Sequence, residues 1–292
     1  MVRGVRGRWR GMAYVAAAAL LLSSAGLFIK VLNLGAFQIN FYRSLVAALT
    51  IALVLRLRRQ PIALRLDPLS LGCYLTYAGM PILFVASTKL TTAANAIFLQ
   101  YTAPIFLLFM EPWLDRRPVS RRELGAVAAC VGGMGLFFVG HLGASGALGN
   151  VLGICSGLNL ALFSLLMKRN RRRQGGSPFA VMVFGNLLVG LLCLPMAMGS
   201  LRLNLGQGLA LAYLGVFQLG LSWILFTAGM KYLSATAAII ICMLEAVFNP
   251  VWVYLGVGER PSGYALVGGA LLLGTVVWFN LKAPPSVAED GP

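Results

Sequence analysis

Residues 124–167 contain no Asp, Glu, Lys or Arg. This run of 44 residues is long enough for two membrane-spanning helices, because one helix needs about 20 apolar residues to cross a bilayer core of about 30 Å. The glycine-rich segment 141–146 provides a turn between them. The chain is 59% hydrophobic and only 11% charged, whereas a soluble protein places charged faces on its outer helices. The sequence therefore predicts an all-α polytopic membrane protein.

Other apolar runs extend this pattern to ten predicted transmembrane helices. They cover residues 12–32, 35–55, 69–88, 91–109, 124–140, 149–167, 179–199, 206–230, 235–255 and 262–282. The first follows a basic leader and therefore resembles a signal peptide. We predict that it is retained, because nine spans follow it and no clear A-x-A cleavage site comes after it.

The basic residues predict the orientation of these spans. If the N-terminus is cytoplasmic, 19 of the 24 Lys and Arg residues lie on the inner side. The outer side then holds Lys30, Lys89, Arg202 and Arg260. This asymmetry predicts that both termini are cytoplasmic and that anionic lipids contact the cytoplasmic side. Lys30 and Lys89 end their spans, so we expect them to anchor at the membrane surface. No nucleic-acid-binding motif accompanies the basic loops, so no nucleic-acid partner is predicted.

A weak internal repeat divides the chain into two halves. An offset of 142 residues aligns Lys89-Leu-Thr-Thr-Ala with Lys231-Tyr-Leu-Ser-Ala and Phe84 with Phe226. Because each half contains five spans, the halves have opposite orientations, as in many transporters. The alternative is that both halves are merely rich in Leu, Ala and Gly. The predicted units are an N-terminal five-helix repeat (residues 1–141), an inverted C-terminal five-helix repeat (142–283) and a cytoplasmic tail (284–292).

Four short segments carry a resemblance to a known family. They are Phe-Tyr-Arg-Ser-Leu at 41–45, Thr-Ala-Pro-Ile-Phe at 102–106, Leu-Glu-Ala-Val-Phe at 244–248 and Gly-Val-Gly-Glu-Arg at 256–260. With its ten spans, the chain resembles the EamA-type drug/metabolite transporters, and most of all the bacterial aromatic amino-acid exporters of the YddG type. The family usually has proline where Ala246 follows Glu245; here Pro250 lies nearby. The resemblance implies export of amino acids, drugs or other metabolites.

Two charged residues lie near the middle of predicted spans. Arg43 is in the second span and Glu245 in the ninth. Intramembrane charges are costly, at about 2.5–3.5 kcal/mol each on insertion scales, so each should face the bundle interior and have a partner. One interpretation is an ion pair, or separate contacts with carbonyl groups, that stabilises the bundle. The other places Arg43 near a substrate carboxylate, with Glu245 near a substrate amine or exchanging a proton.

Further polar and aromatic side chains lie inside the spans. The residues predicted to line the substrate path, besides Arg43 and Glu245, are Ser24, Tyr77, Gln100, Tyr101, Asn159, Gln218, Ser222 and Trp223. Each could equally form an ordinary interhelical hydrogen bond or packing contact. Together they provide apolar walls with a few polar contacts, which suits an amphipathic solute.

Prolines and small residues indicate where helices bend or approach closely. Pro81, Pro104, Pro195 and Pro250 are candidate hinges for alternating access, or static kinks. Small residues four positions apart in the fifth span, Gly125, Ala129 and Gly133, favour close helix packing within one chain or in a homodimer.

The motifs of several other protein classes are missing from the sequence. It contains no HExxH motif, carboxylate pair or Ser-His-Asp arrangement, so an enzyme is not predicted. The five cysteines lie in apolar runs without CxxC spacing, which predicts neither a metal site nor a disulfide framework. No nucleotide-binding loop is present, so neither ATP use nor a cofactor is predicted.

These patterns lead to one predicted function with two alternatives. We expect a secondary transporter of the bacterial inner membrane that exports small amphipathic metabolites by alternating access around a midplane cavity. Amino acids, including aromatic ones, are the leading substrates. A broad drug or metabolite exporter is the first alternative, and a membrane interaction protein that transports nothing is the second.

Overall fold

A computed structural model describes residues 2–114, 121–139, 144–171, 177–199, 201–230, 232–233 and 241–281. Lys231, the turn around His141 and the predicted tail 284–292 lie outside this part of the chain. The helices are α1 Val2–Ser23, α2 Ala25–Val31, α3 Ala36–Leu57, α4 Pro68–Leu90, α5 Ala93–Gln100, α6 Ala103–Leu114, α7 Arg121–Val139, α8 Ala144–Arg171, α9 Pro178–Ala197, α10 Leu205–Tyr213, α11 Ser222–Gly229, α12 Leu244–Val257 and α13 Gly263–Leu281. A π-helical segment, Leu214–Leu221, joins α10 to α11. The described residues contain no strand.

Six helical stretches of the described chain are long and apolar enough to cross a membrane. They are Trp9–Val31, Ala36–Leu57, Pro68–Leu90, Gly146–Asn170, Pro178–Ala197 and Leu205–Gly229. Four shorter apolar helices are Ala93–Leu107, Leu124–Leu136, Leu244–Val257 and Gly263–Thr275. Each long stretch overlaps one of six predicted spans, and each shorter helix overlaps one of the other four.

Capping side chains define where several helices begin. The Asp67 carboxylate accepts a hydrogen bond from the Ser70 amide at 3.2 Å, and Pro68 follows at the first helical position. The Ser177 hydroxyl accepts from the Ala180 amide at 3.3 Å at the start of α9. Such caps satisfy amide groups that have no partner within the helix. Both of these helix starts are thereby fixed by local sequence.

Two spans predicted as continuous helices are broken. The first is interrupted at Ser24, where the Ser24 hydroxyl donates to the Leu21 carbonyl at 2.6 Å. The fourth is interrupted at Tyr101 and Thr102, and the Thr102 hydroxyl donates to the Leu99 carbonyl at 2.6 Å. Each carbonyl also accepts a backbone amide, from Ser24 at 3.3 Å and from Thr102 at 3.2 Å, so the hydroxyl adds a second hydrogen bond at each break. The breaks are therefore stable features inside an apolar bundle.

The four candidate hinge prolines occupy two kinds of position. Pro104 lies in the first turn of α6, where a missing amide hydrogen removes no helical bond. Pro81, Pro195 and Pro250 lie inside α4, α9 and α12. Of the four candidate hinges, only these three remove a hydrogen bond from a helix interior.

The helices pack mainly between the two halves of the chain. Helix α4 packs against α8, α3 against α9, and α7 against α13. Helix α1 packs against α11, and α12 packs against α1, α2 and α5. The largest apolar core cluster includes Ile29, Phe84, Leu99, Leu214 and Ala246, which come from both halves.

The start of α8 lies so close to the α4–α5 link that it requires glycine. A Cβ atom on Gly149 would lie 2.8 Å from the Thr91 amide nitrogen and 2.9 Å from the Leu90 carbonyl carbon. Because these are backbone atoms, they cannot rotate away. We expect Gly149→Ala to lower the free energy of unfolding by about 1–3 kcal/mol, measured as a lower Tm in detergent.

Gly132→Ala in α7 is the matched control for this substitution. Gly132 is exposed, and its added Cβ would have no neighbour within 4 Å. Alanine is more favourable than glycine in a helix by about 1 kcal/mol, so the Tm of Gly132→Ala should be unchanged or higher than that of the wild type. Equal Tm values for the two variants would contradict the close contact at Gly149.

Candidate functional site

Glu245 lies in the first turn of α12 and is half-buried. Its Oε2 lies 3.1 Å from the Tyr101 hydroxyl, which lies 2.7 Å from the Cys242 carbonyl oxygen. The hydroxyl has one proton and can donate to only one of these acceptors at a time. When it donates to Cys242, the contact with Glu245 is a hydrogen bond only if the carboxyl group is protonated and donates to Tyr101. The break between α5 and α6 therefore places Tyr101 where it can respond to the protonation of Glu245.

Arg43 lies in α3 with only 2% of its surface exposed. Its Nη2 donates to the Asn40 Oδ1 at 3.3 Å, one turn earlier, and its Nε has no partner. Tyr77 and Cys193 are its ionisable neighbours. The guanidinium group is thus buried with no acidic partner within 4 Å in the described chain.

The two intramembrane charges do not pair with each other. The ion pair found among the described residues joins Lys30 to Glu259. Helix α3 packs against α9 and the π-helical segment, whereas α12 packs against α1, α2 and α5. Of the two interpretations, the structure therefore lacks the Arg43–Glu245 ion pair, since no N···O distance within 4 Å joins these two described residues.

Unpartnered polar atoms accompany Arg43 on neighbouring elements. The Asn40 Nδ2 and the Ser44 Oγ are buried on α3 without a hydrogen-bond partner. Gln218 Oε1 in the π-helical segment and Trp223 Nε1 in α11 are also buried and unpartnered. Burial of polar groups without partners is unfavourable, so each needs an explanation. A hydrogen-bonding solute near α3 would provide one.

Most of the other predicted site residues make contacts between helices. The Asn186 Nδ2 donates to the Tyr77 hydroxyl at 2.7 Å and joins α9 to α4. The Gln100 Nε2 donates to the Ser156 hydroxyl at 3.0 Å and joins α5 to α8. Asn159 packs on Gly79 and donates to the Cys155 carbonyl at 3.1 Å. These contacts hold the side chains within the bundle, although the Asn186 Oδ1 is buried without a partner.

The remaining predicted residues lie at irregular points in the helices. The Ser222 hydroxyl donates to the Phe217 carbonyl at 2.9 Å, where the π-helical segment ends. The Ser24 hydroxyl accepts from the Tyr213 hydroxyl at 3.2 Å. The Tyr213 ring stacks on Phe28 at 4.4 Å between centroids. The break at Ser24 is thereby joined to an aromatic pair between α2 and α10.

A polar network at one end of the bundle includes residues that we expected to be surface anchors. Lys30 Nζ lies 2.7 Å from Glu259 Oε2 and donates to the Thr91 carbonyl at 2.7 Å. Lys89 Nζ donates to the Leu32 carbonyl at 2.6 Å. Surface anchoring therefore does not fully describe these two lysines, because each also bonds to a separate segment of the chain.

Comparison with known proteins identifies the family. The sequence profile of the EamA-like transporter family matches residues 9–139 and, a second time, residues 147–281. The chain belongs to the EamA-like transporter family. It is also 26% identical to a protein of Archaeoglobus fulgidus described as an uncharacterized transporter, over 268 residues that cover 91% of this chain and 95% of the relative. A solved crystal structure matches with a TM-score of 0.66 at 14% identity, covering 95% of this chain and 100% of the other.

These findings identify a multi-pass membrane protein of a transporter family. The crystal structure supports the fold alone, since its sequence identity is low. Within this EamA-family protein, the structure brings Glu245 and Tyr101 together. It places Arg43 on α3, Gln218 on the π-helical segment that packs against α3, and Trp223 against the apolar cluster that contains Ile51 of α3.

Two polar residues of this EamA-family protein with unusual surroundings were not predicted from the sequence. Glu259 follows Gly258, whose φ of 72° is readily adopted by glycine at the end of a helix. The sequence shows Gly258 followed by Glu259, but Lys30, the ion-pair partner of Glu259, is far away in sequence. Asn249 directly precedes Pro250 and was not predicted as a site residue, yet it is fully buried with both side-chain polar atoms unpartnered.

A cavity opens at the end of this EamA-family bundle opposite Lys30. Its volume is about 390 Å³, and its lining includes Arg65, Tyr74, Asn170 and Val181. Lys30 precedes α3 and Arg65 follows it, and a helix of 22 residues is about 33 Å long. The bundle is therefore joined by ionic contacts at one end and has an opening at the other.

Proposed function

We propose that this EamA-family protein is a secondary transporter that exports small amphipathic metabolites, with amino acids, including aromatic ones, as its leading substrates. The observation that carries the proposal is the half-buried Glu245 carboxylate beside the Tyr101 ring, inside an apolar bundle. A carboxylate in such a place is energetically costly, which favours a functional role. Binding a substrate amine or exchanging a transported proton would be such a role. Transport proceeds by alternating access around a midplane cavity.

The proposed architecture has ten spans in two inverted halves, with both termini in the cytoplasm. The double match to one family profile supports two related halves. The third span (α4) packs on the sixth (α8), and the eighth span, which contains α11, packs on the first (α1). These two contacts are equivalent if each span corresponds to the one five places away. The turns at Tyr101 and Met243 also lie 142 residues apart, at the offset of the sequence repeat. The distribution of basic residues supports the orientation.

The proposed surroundings are a bacterial inner membrane with anionic lipids at the basic cytoplasmic face. A homodimer is a further proposal, supported by a groove of about 460 Å³ between α7 and α13. Its lining includes Gly125, Ala129, Gly274 and Trp278. Small residues of this kind allow another helix to approach closely.

A broad exporter of drugs or metabolites is the second candidate. Arg43 is almost completely buried, whereas Glu245 is half-buried, so the more accessible intramembrane charge is negative. A negative charge beside aromatic rings also suits hydrophobic cations. The breadth of the accepted solutes therefore separates the two candidates.

Counterflow in proteoliposomes tests the proposed function. We expect labelled Phe, Trp, Met or Thr to accumulate in liposomes that contain the protein and excess unlabelled amino acid, and not in protein-free liposomes. Flux of hydrophobic cations alone would support the broad exporter. No flux of any solute, with protein shown to be folded by its melting transition, would contradict transport and favour the membrane interaction protein.

A further inference from the structure

Helices α2 and α12 meet along a contact that we call the seam, formed by Ala25–Val31 and Leu244–Val257. The Asn249 side chain packs directly on Gly26, where a Cβ atom has no room. Farther along, Leu27 packs on Gly256 with equally little space. The Trp252 Nε1 donates to the Ser23 hydroxyl at 2.9 Å across the start of the seam. The seam is therefore closed along its length.

A network of charged groups closes one end of the seam. Lys30, at the end of α2, pairs with Glu259, just after α12, and their side chains are 19% and 22% exposed. Glu259 Oε1 also accepts from the Ala93 amide at 2.7 Å at the start of α5, and Lys30 donates to the Thr91 carbonyl at 2.7 Å. A carboxylate is favourable at a helix N-terminus. The Lys30–Glu259 pair therefore joins α2, α12 and the α4–α5 link.

Asn249 has no hydrogen-bond partner inside the closed seam. Its exposed fraction is 0%, and both its Oδ1 and its Nδ2 lack partners. Burial of such an amide is unfavourable, because both polar atoms lose their hydrogen bonds to water. The closed seam therefore contains a group that gains hydrogen bonds when α2 and α12 separate.

The helix break at Ser24 allows α2 to move as a unit relative to α1. Helix α2 is only seven residues long and is separated from α1 at Ser24. The Ser24 hydroxyl bonds to the Leu21 carbonyl within the preceding turn, so a rotation of α2 does not need to break this bond. Hinges are commonly a few residues at the ends of helices.

We propose that the seam is the exit gate for the solute, that the Lys30–Glu259 pair holds it closed, and that Asn249 contacts the passing solute. The amide offers a donor and an acceptor. It therefore suits a solute that carries both, such as the ammonium and carboxylate groups of an amino acid. The assignment of the solute rests on the proposed function, whereas the opening of the seam does not.

Thiol labelling of intact cells tests the gate independently of transport. Asn249→Cys is introduced after the five native cysteines are replaced, and a membrane-impermeant thiol reagent is added outside. The reaction should be slow while the Lys30–Glu259 pair is intact and at least about tenfold faster after Glu259→Gln, since a factor of ten needs only about 1.4 kcal/mol. The charge exchange Lys30→Glu with Glu259→Lys restores the ion pair but not the bonds to Ala93 and Thr91, so labelling should be slower than in Glu259→Gln alone but faster than with the native pair.

Arg260→Gln is the matched control for the labelling experiment. Arg260 follows Glu259 directly and lies 5.6 Å from the Tyr254 ring, outside the Lys30–Glu259 pair. Its replacement should leave the labelling rate unchanged. Equal rates with and without Glu259→Gln, in variants with equal Tm, would overturn the gate even if transport is observed. Faster labelling without amino-acid flux would support the gate and contradict the proposed function.

The contact between Asn249 and the solute has its own test. Asn249→Leu removes both unpartnered polar atoms at similar volume, so the Tm should be unchanged or higher while counterflow of labelled Phe falls at least about tenfold. Asn249→Ala, which also fits beside Gly26, should show the same loss of counterflow if the leucine variant does not fold. Wild-type counterflow in either folded variant would overturn the role of Asn249.

Discussion

Counterflow of labelled phenylalanine is expected to fall at least about tenfold when Glu245 is replaced by glutamine, with the protein still folded. Glutamine keeps the size of the side chain and can still bond to Tyr101, but it lacks the charge that attracts an amine. A hydrogen bond to a charged group contributes about 1.5–3 kcal/mol, which corresponds to about a tenfold to 150-fold change in rate. The Tm should change little, because Glu245 forms no ion pair in the described part of the chain.

The pH dependence of transport provides a second measurement on Glu245. If its carboxyl group exchanges a proton during transport, the glutamine variant should lose that pH dependence. Tyr101→Phe is the control, since it removes the hydroxyl group but keeps the carboxyl group. We expect it to lower the rate less and to retain the pH dependence. An unchanged rate and an unchanged pH profile in Glu245→Gln would exclude both roles for this residue.

Replacement of Arg43 by methionine is expected to abolish most transport without unfolding the protein. The guanidinium group is buried with one long hydrogen bond to Asn40 and no acidic partner within the described residues. Apolar replacement of a buried charge is often neutral or stabilising when the volume is filled. We therefore expect an equal or higher Tm, measured in detergent. Counterflow should fall at least about tenfold, because the variant loses a charge-assisted hydrogen bond to a substrate carboxylate.

Competition by substrate analogues separates the roles of the two charges. In the wild-type protein, both 3-phenylpropionate and phenethylamine should inhibit phenylalanine counterflow. Arg43→Met should lose inhibition by the acid, and Glu245→Gln should lose inhibition by the amine. Arg202→Met, at an exposed position between α9 and α10, controls for the loss of one positive charge. A lower Tm for Arg43→Met with unchanged selectivity would instead identify Arg43 as a structural residue.

The positions of the helices could be predicted because the membrane restricts what each segment can do. A backbone in lipid must form its own hydrogen bonds, so an apolar run of about 20 residues is almost certain to be helical. The breaks at Ser24 and Tyr101 were not predicted. Serine and threonine hydroxyls bond to the backbone both within helices and at their ends, so local sequence does not distinguish the two cases.

The contacts at the candidate site depend on packing that spacing does not reveal. Arg43 and Glu245 were predicted to face the bundle interior; the structure buries Arg43 and half-buries Glu245, and their possible pairing could be judged only from the distances in the folded chain. Lys30 and Glu259 are far apart in sequence, and neither belongs to a local motif with the other. The unpartnered state of Asn249 is likewise a property of the closed seam.

Because Arg43 and Glu245 form no ion pair with each other, one charge can move through the membrane field without the other. Two opposite charges that moved together would carry no net charge through the electric field. A motion that displaces only one of them moves a single charge, and one elementary charge that crosses 100 mV changes the free energy by about 2.3 kcal/mol. The voltage across the membrane, negative inside, would then favour the arrangement with Glu245 nearer the outside. The proposed transport cycle would then depend on the membrane voltage as well as on the solutes.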